Sequence, residues 1–250
     1  MAAILILLVV ACLAASLHAL TGFGSALVLS PALLALEEPH VAVAAMVMVA
    51  LGVNALIALR GPRSELVAIR PVLRLAPGAI VGLPVGLWLL TAVSKPGLEV
   101  LMGLVVLGAG IVQARNLDHA TLAQAARPGI GSEAAVGLVS GALTSCTGIG
   151  VTPIVLWLNR RVPDKVTLRY GIAVYSILLT GGTAVLLGVT GDSQPLIRGM
   201  WLALALSPAV FLGHWLGRSA FVHIEPRQFR VAMLVLVMVS GAASVLVGLS

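Results

Sequence analysis

Charge is what this chain has least of. In 250 residues there are 15 Lys and Arg and 9 Asp and Glu, 10% in all, against about 25% in an ordinary soluble domain. That scarcity excludes a soluble globular plan. Cysteine is nearly absent as well: Cys12 and Cys146 both fall in apolar stretches, so neither a disulfide framework nor a CxxC metal site can be assembled. Both are expected to be free thiols, and no metal or other cofactor is expected. No Asp or Glu stands at the centre of an apolar run, which removes the usual relay of a cation or proton carrier. HExxH, GxSxG and paired intramembrane aspartates are missing too, so an enzyme is not expected. No polar stretch is long enough for a separate catalytic or nucleotide-binding domain.

What the chain does have is apolar length. Hydrophobic residues make up 60%, and 27 residues are glycine. The apolar runs, roughly 17–25 residues long in most cases, match the thickness of a bilayer. They are apolar on every side rather than alternating, which disfavours a transmembrane barrel. The reading is an all-α polytopic membrane protein with apolar segments at 2–36, 41–59, 71–93, 97–114, 133–158, 166–189, 195–217 and 229–249. A net charge of +6 would suggest nucleic acid in a soluble protein. Here the basic residues sit in short loops between spans, where they set orientation, and no nucleic-acid partner is expected. Segment 2–36 lacks a basic leader and outruns a signal-peptide core, so it is read as mature structure. Trp88, Trp157, Trp201 and Trp215 fall toward segment ends and read as interfacial anchors.

Two segments are interrupted. As a straight helix, segment 2–36 would be about 50 Å long, more than a 30 Å hydrocarbon core accepts. It breaks at Thr21-Gly22-Phe23-Gly24-Ser25, after His18 and before Pro31. Segment 133–158 breaks at Thr144-Ser145-Cys146-Thr147-Gly148-Ile149-Gly150-Val151-Thr152-Pro153. The two Thr-Gly-x-Gly copies lie 126 residues apart. Pro77, Gly82 and Gly86 recur as Pro208, Gly213 and Gly217 at an offset of 131, and Pro96 recurs as Pro226 at 130. Three matches in order indicate a duplication: a first membrane repeat at 1–115, a polar linker at 116–129 and a second repeat at 130–250.

Charge counting favours an inverted arrangement. If all eight segments cross, the basic residues divide seven against eight, against the positive-inside bias. If each broken segment instead enters and returns to its own side, only Lys95 and Arg198 of the 15 remain outside. Each half then has three full spans plus one Gly-broken segment, and an odd number of crossings inverts one half relative to the other. Kinked full spans are the competing geometry.

At these breaks the chain resembles the sulfite exporter TauE/SafE family. The family's Gly-rich stretch followed by aliphatics and a proline is matched by Gly22 to Pro31 and again by Gly148 to Pro153. The paired Pro/Gly/Gly sets resemble its second helix-packing motif. Ser25 and Ala26 in one copy, and Val151 and Thr152 in the other, stand where the pattern has further glycines. The resemblance implies transport of a small sulfur-containing anion, such as sulfite, thiosulfate or a sulfonate, across the cytoplasmic (inner) membrane.

The breaks themselves have suitable chemistry. Glycine lets a helix stop and restart inside the membrane, and a restarting helix offers backbone N–H groups and a positive dipole end to an anion. The candidate substrate-binding residues are therefore Thr21, Gly22, Gly24, Ser25, Ser145, Thr147, Gly148, Gly150 and Thr152, together with His18 and His214 as ionisable groups. Asn54, Gln113, Tyr170, Tyr175, Ser176 and Thr180 are further polar candidates, of which Asn54 and Thr180 are also 126 apart, with interhelical hydrogen bonding as the simpler role of each. Arg160, Arg161, Lys165 and Arg169 read as orientation signals. The expected function is a secondary transporter working by alternating access at the two breaks. An anion channel or a structural subunit of a membrane complex is the alternative. The expected partners are a small anion and the lipid bilayer, and the small-residue stripes are compatible with a homodimer.

Overall fold

A computed structural model describes residues 2–21, 25–60, 66–118, 130–159, 165–190, 194–220 and 226–249. Those residues form helices and short turns, with no strand among them. In chain order the helices are α1 (Ala2–Thr21), α2 (Ser25–Leu36), α3 (Pro39–Arg60), α4 (Leu66–Ala92), α5 (Lys95–Asp118), α6 (Ile130–Thr147), α7 (Thr152–Asn159), α8 (Lys165–Val189), α9 (Gln194–Ala220) and α10 (Pro226–Leu249). Each apolar segment of the sequence has become a helix, and the two interrupted segments have become the pairs α1/α2 and α6/α7. Prolines at the first or second position of α3, α5, α7, α9 and α10 suit the helix start, where their missing N–H has no partner to lose. Helix α5 runs on through Asn116 to Asp118, into the expected linker; residues 119–129 lie outside the described residues.

Spans within α3, α4, α8 and α9 are long and apolar enough to cross a membrane by length and composition. Their outward surfaces carry exposed Ile80, Val81, Trp88, Val185, Trp201, Phe211 and Trp215, side chains that would be a liability in water but suit lipid. Trp157 departs from this pattern. It is buried, packed with Ile154, Leu158 and Tyr175 in the core around α7 and α8, and is not an interfacial anchor as the sequence suggested.

Small residues decide which helices meet. A Cβ on Gly82 would collide with the carbonyl of Leu138, and one on Gly86 with that of Ala142, so α4 and α6 touch backbone to backbone. The same pair of contacts occurs elsewhere: Gly213 abuts the backbone of Cys12, and Gly217 that of Ser16, while Ser16 Oγ donates to Gly213 O at 2.8 Å. Helix α1 therefore lies on α9, and α6 on α4. In both pairs residue number rises together along the two axes, so the helices run parallel. Helices α5 and α10 close a third seam, antiparallel, through Gly103 against Gly241 and Val245, Gly248 against Pro96 and Val100, and a 2.8 Å bond from Ser244 Oγ to Glu99 O. Such contacts supply packing where lipid gives no hydrophobic drive between helices.

Polar contacts mark the two ends of the bundle. At one, Glu37 in the α2–α3 turn pairs with Arg198 of α9 at 3.9 Å, and its carbonyl accepts from Lys95 Nζ at 3.1 Å. At the other, Arg74 of α4 pairs with Glu133 of α6, also at 3.9 Å. The turn after α2, the start of α5 and the start of α9 therefore share one end. Lys95 and Arg198, the two basic residues set apart by charge counting, stand side by side there.

Candidate functional site

The second break is a reversal. At Gly148 the backbone takes φ 75°, in the left-handed region that glycine enters without steric cost. Its N–H still closes on Thr144 O at 2.9 Å, and the next N–H, of Ile149, reaches Thr147 Oγ1 at 3.3 Å. The chain then doubles back along α6: the Gly150 carbonyl accepts a hydrogen bond from Ser140 Oγ, which lies ten residues earlier. In a straight helix those two positions would be about 15 Å apart. Gly150 has room only for hydrogen, since a Cβ would run into Thr144 Oγ1. Helix α7 therefore turns back along α6 and does not prolong it.

At the first break, Gly22 and Gly24 lie outside the described residues, as do the side chains of Thr21 and Thr152. The flanking helices nonetheless record a fold-back. His18 Nδ1 on the last turn of α1 and Ser25 Oγ at the start of α2 share a 2.9 Å hydrogen bond, whereas residues seven apart on a straight helix are about 10 Å apart. A cross-brace ties the two breaks together, because Ser30 Oγ of α2 donates to Thr147 O at 2.8 Å.

Between them lies a small cavity of about 30 Å³, with His18, Ser25, Asn54, Thr144, Gly148, Ser176 and Thr180 among its walls. It has room for a water or two. The walls pair off at the spacing of the two Gly-x-Gly copies: His18 with Thr144, Ser25 with Val151, Ala50 with Ser176 and Asn54 with Thr180 are each 126 residues apart, and all eight line the cavity. Among the described lining residues there is no Asp or Glu, and His18 is the one ionisable group. Arg169 on α8 and His214 on α9 lie within electrostatic range of His18.

Most of the polar walls are already committed. Thr144, Ser176 and Thr180 donate to carbonyls one turn back, at 2.8, 2.7 and 2.6 Å, as hydroxyls in apolar helices commonly do. Asn54 Nδ2 donates to Ala50 O at 2.8 Å. The side-chain atoms left over are His18 Nε2 and Asn54 Oδ1, both buried and without a hydrogen-bond partner. An unmatched buried polar atom is costly, and here two of them face the cavity.

Of the sequence candidates, the structure brings His18, Ser25 and Gly148 to the cavity. Thr147 and Gly150 shape the reversal behind it, and Ser145 turns away to share a 3.1 Å hydrogen bond with Thr183. His214 lines a wider apolar groove of about 540 Å³ between α3 and α9. Thr144, Ser140 and Ser30 were not among the sequence candidates, whereas Ser176 and Thr180, read there as further polar residues of the spans, do line the cavity. The 126-residue offset, applied to His18 and Ala50, points to Thr144 and Ser176. Among the described residues no group of His, Cys, Asp and Glu could hold a metal ion, and both cysteines are free.

A family model described as sulfite exporter TauE/SafE matches residues 7–244. The chain is 32% identical over 173 residues to the probable inner membrane transporter protein TsaS of Comamonas testosteroni, covering 69% of this chain and 70% of that one. No solved structure matches.

Proposed function

The chain belongs to the sulfite exporter TauE/SafE family of membrane transporters, and on that premise we propose that it carries a small sulfur oxyanion or organosulfonate across the inner membrane by alternating access around the central cavity. The observation that carries this reading is the cavity wall, built from positions 126 residues apart on both sides of the duplication. In this reading 1–115 and 130–250 are repeats inverted about an axis through that cavity, as in many carriers. It is supported by the recurrence of the α4–α6 contact as α1–α9 and by the reversal at Gly148–Gly150.

At about 30 Å³ the cavity is too small for sulfite with its four heavy atoms, so the present conformation is the closed one. Substrate enters when one half tilts relative to the other. Anion recognition then falls to His18 Nε2, to the Asn54 amide after rotation, and to Arg169 at the edge of the site. This suits a fixed negative charge, and no carboxylate is among the described lining residues.

The test is flux in proteoliposomes. Uptake of labelled sulfite, thiosulfate or ethanesulfonate is expected to saturate with concentration and to show counterflow when the lumen is preloaded. Current that rises without saturation would replace the carrier with a channel. Absence of flux for every anion would remove the substrate class.

The topology has its own prediction. In a background with Cys12 and Cys146 replaced, Lys165→Cys is expected to react with a membrane-impermeant maleimide only when the cytoplasmic face is open. Ser94→Cys should react from the outer face in intact cells. Labelling of position 165 from outside would make segment 133–158 a full span and the repeats parallel.

A further inference from the structure

We propose that His18 is the proton-binding group of this carrier, so that an anion and a proton occupy the central site together. The inference rests on the reading of the cavity as the substrate site. His18 is 4% exposed, its Nδ1 is engaged by Ser25 Oγ at 2.9 Å, and its Nε2 is buried at the cavity wall without a hydrogen-bond partner.

The groups around it define what that nitrogen can do. Among the described residues, Arg169 from α8 and His214 from α9 are the titratable or charged groups within electrostatic range. Ser25 of α2 and Asn54 of α3 are neutral. The described carboxylates, Glu37, Glu38, Glu99, Asp118 and Glu133, belong to the ends of helices or to the turn after α2, and none lines the cavity. In the tautomer in which Nδ1–H donates to Ser25 Oγ, Nε2 is left with a lone pair at the cavity wall. A proton taken from bulk solvent while the site is open can add to it, turning an acceptor into a charged donor at the substrate site.

Among the described residues no carboxylate lines the cavity to balance that added charge. A bound anion supplies the counter-ion, so anion and proton favour one another, and by linkage each strengthens the other to the same degree. No intramembrane carboxylate is then needed for coupling; the substrate itself takes the place of the acidic partner.

The experiment counts protons. Binding of ethanesulfonate or thiosulfate, neither of which titrates near neutral pH, is measured calorimetrically on the full-length protein in two buffers of different ionisation heat. About one proton taken up per anion bound is expected. His18→Gln should bind more weakly, by roughly tenfold, with no proton uptake, and the counterflow that remains, reduced in step with binding, should no longer be accelerated by an inward proton gradient. His40→Gln, at the end of the bundle, should keep the wild-type count.

Wild-type binding with no proton taken up overturns the proposal, and this holds even if His18→Gln fails to fold. Undiminished proton uptake in His18→Gln overturns it equally. If wild-type protein neither binds these anions nor shows counterflow with them, the reading of the cavity as substrate site falls, and this inference falls with it.

Discussion

Gly148→Val is expected to abolish transport while the protein still inserts in the membrane. Two costs add. The residue sits at φ 75°, where a β-branched side chain is strained, and its first carbon would lie 2.8 Å from Met46 Cγ and 3.1 Å from Ser30 Oγ. Together these amount to about 2–5 kcal/mol, all of it at the point where α6 ends and the cavity begins. The α1–α9 and α5–α10 seams do not touch this residue, so the bundle should assemble. What changes is the tip: Ser30 can no longer hold Thr147 O, and Gly150 shifts off Ser140. At 1.4 kcal/mol per factor of ten, the competent form should fall by at least about tenfold. The check is counterflow per molecule of monodisperse protein. Wild-type counterflow in Gly148→Val would mean that the reversal does not form the site.

How much of this could be read from the sequence depends on the kind of physics involved. Apolar spans and their glycine breaks are written in composition and spacing, because bilayer thickness and glycine's conformational range act locally. The 126-residue offset that aligned the two Gly-x-Gly copies also governs the cavity wall. Which small-residue stripes face one another is not local. Gly82 and Gly213 each announce a close approach, but nothing along the chain says that α4 takes α6 and α1 takes α9.

Helix phase was equally hidden. Successive residues on a helix point about 100° apart, so Thr144 lines the cavity while Ser145 turns to Thr183, and only packing decides between them. The sequence also suggested amides at the breaks as anion donors. At the second break two of them, of Gly148 and Ile149, are closed on Thr144 O and Thr147 Oγ1. Trp157 misled for a related reason: α7 is eight residues long and folds back into the core, so a tryptophan near a segment's end does not stand at a membrane interface.

The packing seams carry the other large effect. Gly82→Val and Gly213→Val are expected to be comparably severe, each lowering Tm by many degrees and flux to below about a tenth of wild type. In each case the added Cβ meets a main-chain carbonyl, of Leu138 or of Cys12. Backbone within a helix cannot rotate aside as a side chain can, so the helices must separate along the seam and the hairpin carried by α6 or α1 must move with them. Gly52→Val is the matched comparison, because nothing lies within 4 Å of its would-be Cβ; it should change stability by less than about 1 kcal/mol. The equality of the first two is the decisive part. If α1 on α9 is the counterpart of α6 on α4, strain at either seam displaces one hairpin tip from the shared cavity and stops the same cycle. A harmful Gly82→Val beside a silent Gly213→Val would show that the two seams do different work, and the two-fold account of transport would have to be given up.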